Sequence, residues 1–229
     1  MKVPILLPNI FNHPFTYESS NLNLKIGDYV IVPFGKSKIT GVVWNEFEKD
    51  KKKKYLIKKV IQKLKIPSLK INTIKFLNWF SEYNMVPKGM TLKLLLLSSN
   101  VVEKFPEKNY LIYKGKLKGN NIKLSQKQKQ SLEKMNISND KFRVHVLQGT
   151  TGSGKTMVYF EALKQLITKG FQGLIMLPEI GLTGQFEKKF IEYFGFNPAI
   201  WHSGVTKKNK EIIWSGVANG EIRVVIGAR

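Results

Sequence analysis

The first 65 residues alternate short apolar runs with polar breaks. Residues 28–34 and 38–47 are rich in β-branched and aromatic side chains, and Gly35-Lys36-Ser37 between them reads as a turn. Residues 55–64 read as a further strand after the charged loop 49–54. This pattern predicts a small antiparallel sheet or barrel. From Ser68 the period lengthens. Ile71, Ile74, Leu77 and Phe80 recur at helical spacing, ending near Tyr83 to Pro87, and a second short helix is expected at about 90–97. Residues 100–123 are lysine-rich and dotted with Gly and Asn, which predicts a linker with one strand at 110–113.

Beyond Ser125 the pattern changes again. A polar helix (about 125–135), a strand (142–147), a Gly-rich turn and a helix to about Thr168 come first. A strand (174–177), a helix (182–194), a short strand (199–201), a helix (208–217) and a strand (223–226) follow. Such alternation predicts a parallel sheet with right-handed crossovers. The expected architecture is an α+β module, with a barrel-like antiparallel sheet plus helices, followed by an incomplete α/β P-loop domain. The boundaries read as 1–98, a linker at 99–123, and 124–229.

Charge narrows the partner. There are 38 Lys and Arg against 16 Asp and Glu, a net charge of +22. A polyanion is the first inference, and small neutral metabolites need no such field. Residues 1–123 hold 23 lysines against 8 acids, so the front is the more basic part. Only Arg143, Arg223 and Arg229 are arginines, and Asn and Ile are abundant. That mixture suits an AT-rich genome, so part of the excess reads as codon bias. There is no Cys, which excludes disulfides, thiolate zinc sites and cysteine nucleophiles in these residues. The apolar runs are too short to span a membrane, and the start carries no signal-peptide pattern, so a cytoplasmic protein without a membrane partner is expected.

Gly149-Thr150-Thr151-Gly152-Ser153-Gly154-Lys155-Thr156 fits G-x-x-x-x-G-K-[ST] at every fixed position. Glycines let such a loop turn its N–H groups onto phosphate oxygens, and the following helix adds its positive end. Lys155 is the candidate for the β- and γ-phosphates, and the Thr156 hydroxyl the candidate magnesium ligand of bound ATP. No Asp-Glu pair follows residue 156, so the carboxylates that hydrolysis needs are missing from the chain. Gln128 in Leu124-Ser125-Gln126-Lys127-Gln128 can read an adenine edge or serve a plain soluble helix. The run from Leu177 to Thr183 joins a strand to a helix N-terminus, where a nucleic-acid phosphate can sit. His13 and His145 read as structural or surface histidines. Trp44, Trp79, Phe76 and Phe80 read as core residues, whereas Phe15 and Tyr17 lie in a polar segment that suits a core less well.

Together these residues resemble the N-terminal part of the replication restart helicases, the family of primosomal protein N′ (PriA). Pro14-Phe15-Thr16-Tyr17, Val32-Pro33-Phe34-Gly35-Lys36, Ile57-Lys58-Lys59-Val60 and the run WFSEYNMVP at 79–87 look like that family's 3′-end DNA-binding domain. GTTGSGKTMVY at 149–159, LPEIGLTGQ at 177–185, His202-Ser203-Gly204 and Val225-Ile226-Gly227 resemble its successive motor motifs. The resemblance implies that Phe15, Gly35 and Lys58 form the pocket for a nascent 3′ end, with Thr16 where the family often has Asp. It implies that Gln128 reads adenine and that Thr183 lies near single-stranded DNA phosphates. It implies a RecA-like, superfamily 2 motor with ATP and magnesium, forked DNA as ligand, and primosome and single-strand-binding proteins as partners. Met157, Gly184 and Ala228 stand where Glu, Pro and Thr are usual.

No winged-helix domain fits between 99 and 123. The family's acidic magnesium box, second motor lobe, arginine finger and zinc module would lie beyond Arg229. The expectation is therefore a fragment that binds fork DNA and nucleotide without unwinding. Two rivals stand beside it. One is a non-catalytic fork-end binding module with a vestigial phosphate loop, and the other is an unrelated P-loop NTPase.

Overall fold

A computed structural model describes residues 1–48, 56–104, 115, 117–118, 123–137, 142–179 and 183–228. The chain divides into two compact units, Met1–Glu107 and Lys108–Arg229.

In the first unit, β1 (Lys2–Leu6), β2 (Phe15–Glu18), β3 (Tyr29–Phe34), β4 (Ser37–Val43) and β5 (Gln62–Lys63) form an antiparallel sheet in the order β2-β1-β4-β3-β5. The β3–β4 hairpin turns on Gly35-Lys36, because Phe34 pairs with Ser37. Gly35 has φ +58 at the first central position, the type II′ pattern whose twist matches the flanking strands. Strand alternation sends Val30 and Val32 inward to meet Val3, Ile5, Leu7, Tyr17 and Val43. A Cβ on Gly41 would lie 2.7 Å from the Ile5 and Leu7 side chains, so this crossing admits only glycine.

The segment after the undescribed 49–55 stitches both edges of that sheet. The Glu18 N–H donates to the Lys58 carbonyl and the Val60 N–H to the Glu18 carbonyl, both at 2.9 Å. The Ile61 N–H then donates to Ile31 at 2.9 Å and the Leu64 N–H to Tyr29 at 2.8 Å. This change of partner explains why the strand expected over 55–64 shrinks to the two residues of β5 and one bridge at Lys59. A ladder cannot run unbroken through a switch from one neighbour to another.

Helices α1 (Ile71–Tyr83), α2 (Lys88–Leu96) and α3 (Ser99–Glu103) complete the unit. Ile74, Leu77 and Ser81 are the buried residues of α1. The indole of buried Trp44 donates to Asn78 Oδ1 at 3.3 Å. Trp44 is core as expected, but Trp79 and Phe76 are not. They share an outward stripe with Tyr83, each more than half exposed, and Trp79 stacks on Tyr83 at 5.1 Å. Positions three and four apart on a helix share one face, so 74, 77 and 81 form the buried stripe and 76, 79 and 83 a separate, outward one. Helix α3 occupies the first residues of the stretch expected to be linker. Val101 and Val102 are buried, and the Thr40 hydroxyl donates to Glu103 Oε1 at 2.7 Å.

Buried Asp28 accepts from the Ser68 hydroxyl at 2.6 Å and the Lys25 N–H at 2.7 Å, and pairs with Lys63 at 2.6 Å. Burial pushes this carboxyl up, but the bonds from Lys63, Ser68 and Lys25 outweigh it and hold it below the usual carboxylate range.

The second unit carries α4 (Gln126–Met135), α5 (Lys155–Thr168), β6 (Gly173–Leu177), α6 (Thr183–Phe194), β7 (Ala199–Trp201), α7 (Lys207–Ala218) and β8 (Val224–Ala228). Its described strands are parallel, in the order β6-β8-β7. Phe160 of α5 and Phe190, Tyr193 and Phe194 of α6 pack with Val224 and Ile226 of β8. Ile213 of α7 packs with Ile222 and Ala199 in a separate cluster. The strand expected at 142–147 is not formed. Phe142, Val144 and Val146 alternate correctly yet are exposed, Val146 by 89%. No described strand pairs with them, and a lone extended segment has no ladder to satisfy its backbone. The strand expected at 110–113 lies outside the described residues.

Candidate nucleotide and nucleic-acid sites

The phosphate loop runs into α5, which begins at Lys155, with Gly154 as its N-cap. Gly152 and Gly154 have φ +82 and +79, the left-handed region that glycine enters freely. A Cβ on Gly154 would lie 2.3 Å from Gln128 Nε2, whereas one on Gly152 would meet nothing within 4 Å. The loop folds around its own lysine, whose Nζ donates to the Gly149 carbonyl at 2.6 Å and the Thr150 carbonyl at 2.8 Å. The Ser153 N–H donates to Thr150 at 3.2 Å. Thr156 Oγ1 accepts from the Tyr159 hydroxyl at 3.4 Å, within the first turn of α5. A cavity of about 700 Å³ opens here, bordered by Thr151, Lys155, Thr156, Met157, Lys189 and Tyr193. The open face at Gly152, the ammonium group and the helix N-terminus suit a polyphosphate. Thr156 suits its magnesium ion. No group of three His, Asp or Glu able to hold a metal occurs among the described residues.

Gln128 meets this loop but spends both ends of its amide there. Ser125 and Gln128 form a capping box on α4, in which Gln128 Oε1 accepts from the Ser125 N–H at 2.9 Å. Its Nε2 donates to the Ser153 and Gly154 carbonyls at 3.5 and 3.4 Å. Helices α5 and α6 are tied by a short hydrogen bond from the Tyr193 hydroxyl to Glu161 Oε2. Burial first, and the Glu161 carboxylate second, push the Tyr193 hydroxyl well above its ordinary pKa. Thr183 opens α6, with its side chain and residues 180–182 outside the described set. Met157 packs on the α5–α6 core, Gly184 has open space around it, and Ala228 ends β8. His202 accepts from the Gly204 N–H at 3.1 Å, a turn contact.

In the first unit the structure brings Phe15, Gly35 and Lys58 together. Phe15 lies 5.4 Å from Phe34, which precedes Gly35, and Lys58 Nζ donates to the Gly35 carbonyl at 3.2 Å. Thr16 follows on β2 opposite Pro4, with alternation turning it to the other face. Phe11 and His13 complete a ring cluster on Phe15, at 5.2 and 4.9 Å. Neither was expected in the site; His13, expected to be structural or surface, is partly exposed and packs on Phe15. No periodicity marks them, since both lie in the irregular segment before β2.

Residues 2–96 match the family described as the PriA 3′ DNA-binding domain. Residues 121–228 match the family described as the res subunit of type III restriction enzymes. The replication restart protein PriA of Rickettsia conorii is 38% identical over 98% of this chain and 34% of its own length. The chain is similar to the PriA proteins along almost its whole length. The PriA of Rickettsia felis is 40% identical over the same shares, and that of Bacillus subtilis 32% identical over 61% of this chain and 18% of its own length. The chain thus spans about a third of the length of the Rickettsia relatives it matches.

Proposed function

We propose that this chain is the front part of an ATP-dependent 3′-to-5′ DNA helicase that recognises stalled forks and initiates replication restart. The first unit, read as barrel-like through its stitched edges, captures the nascent 3′ end with Phe15, Gly35 and Lys58, while Thr16 follows Phe15 on the opposite face of β2. The second, read as the start of a RecA-like motor, holds ATP on residues 149–156, with Thr156 on magnesium and Gln128 against the loop. When bound, ATP supplies the phosphoryl-transfer free energy, and Thr183 contributes to holding single-stranded DNA. Primosome and single-strand-binding proteins are the expected partners, the cytoplasm the expected compartment, and zinc belongs to other parts of the family's longer chains.

The observation that carries this reading is the convergence of Phe15, Gly35 and Lys58, distant in sequence, on one hairpin tip. It is tested by titrating forked DNA and a fluorescent ATP analogue into the wild type, Lys58→Ala and Lys155→Ala. Lys58→Ala is expected to weaken fork binding about threefold or more while sparing the nucleotide. Lys155→Ala is expected to weaken nucleotide binding about tenfold or more while sparing the fork. Fork affinity unmoved by Lys58→Ala overturns the end-capturing role. A second reading, a fork-end binding module with a vestigial loop, draws on the unpaired segment at 142–147. It gains if the wild type binds no nucleotide.

A further inference from the structure

The end-capturing cluster has chemistry beyond the residues named so far. Three rings meet around Phe15: Phe11, His13 and Phe34, at 5.2, 4.9 and 5.4 Å. All pack edge-on or tilted, and Phe11 is 39% exposed. Such a surface accepts any base, because every base has a π face. The ends of the cluster differ in charge. Beyond Phe34 lie Gly35 and the Lys58 ammonium. Beyond His13 lies Glu48, whose Oε1 is 3.6 Å from His13 Nδ1. His13 also borders a cavity of about 690 Å³ with Asn12, Glu46, Glu48, Glu82 and Lys88. Glu46 there is paired with Lys88.

His13 Nδ1 also lies 3.2 Å from the Pro14 carbonyl. The Pro14 carbonyl can only accept and the Glu48 carboxylate lies just beyond it, an arrangement that suits a proton on Nδ1, so the neutral ring offers Nε2 as an acceptor. Nε2 has no partner among the described residues. We infer that His13, oriented by Glu48, determines which strand ends the cluster takes, by accepting the hydrogen of a free 3′ hydroxyl. The last base then lies on the rings, its 5′-side phosphate toward Lys58 and its 3′ carbon toward His13. A 3′ phosphate at that place has no proton to give in its dianionic form and is repelled by the Glu48 carboxylate across the ring, so it is disfavoured. His13 is a specificity residue for the end-capturing reading proposed above, and the inference rests on that reading.

The test uses the whole 229-residue chain and fluorescence anisotropy with one oligonucleotide ending in a 3′ hydroxyl, a 2′,3′-dideoxy sugar or a 3′ phosphate. The wild type is expected to prefer hydroxyl over dideoxy by about three- to tenfold, the worth of one hydrogen bond, and to bind phosphate weakest. His13→Ala should bring the hydroxyl-to-dideoxy ratio close to one, and His13→Gln, which keeps an acceptor, should restore part of it. Glu48→Gln should narrow the penalty on the phosphate end. Phe11→Ala should weaken all three ends by a similar factor. Circular dichroism of the His13 variants checks that the fold is kept. If the wild type discriminates and both His13 variants keep its full ratios, the inference falls and end capture stands. If the wild type binds all three ends equally, end capture falls and the inference with it.

Discussion

At the residue scale, Asp28 shows what one buried side chain contributes. It is 2% exposed and joins the loop before β3 to Ser68 and to Lys63 of β5. Its folded-state pKa is depressed, so its stabilisation is present above the unfolded value of about 3.9 and is lost as pH falls through the folded value. Asp28→Asn is expected to cost about 1–3 kcal/mol near neutral pH, as for hydrogen bonds to a charged group. The gap in melting temperature between the two proteins should narrow as pH falls below about 3.9 and close once it passes the depressed folded-state pKa. A gap that does not narrow as pH falls below about 3.9 would remove the carboxylate's charge from the explanation. The same scale accounts for Gly154, where the left-handed backbone and the nearby Gln128 amide leave no room for a side chain. That position was legible from spacing alone, whereas the bond between Gln128 and the loop was not.

Elements were legible where their cause is local. β-Branched runs around Gly35 gave the hairpin, and apolar spacing gave α5, α6 and α7 nearly to the residue. What escaped depends on distant partners. Residues 142–147 have a strand's alternation but no described neighbour. Residues 58–64 have two neighbours and therefore no regular ladder. Helix α1 taught a related lesson, since an aromatic side chain does not announce which face it occupies. Ile74, fully buried, and Trp79, more than half exposed, make the contrast measurable. Ile74→Ala should cost about 2–5 kcal/mol in urea unfolding. Trp79→Ser should change stability by no more than about 0.5 kcal/mol. Comparable losses from both would mean that the outward stripe is packed after all. In the candidate site, Lys58 and Gly35 were legible through resemblance. Phe11 and His13 were not, because only the fold carries them onto Phe15.

For the whole molecule, charge is the property that sequence states most plainly and explains least. The front 123 residues hold 23 lysines against 8 acids, through either selection for a polyanion or codon bias. Salt dependence separates the two. If the lysines neutralise phosphates, the log of DNA affinity should fall against the log of salt concentration with a slope of about −3 or steeper. A slope near zero would return the excess lysine to codon usage.

The stitch that crosses the first unit gives Lys58 a double place. Its carbonyl holds the edge of β2, and its ammonium reaches the tip of the β3–β4 hairpin. The residues just after it hold β3. A molecule gripping that ammonium would therefore also grip the closure of the sheet. Occupancy of the tip and cohesion of the unit become one quantity seen from two sides. Whatever loosens the closure loosens the grip.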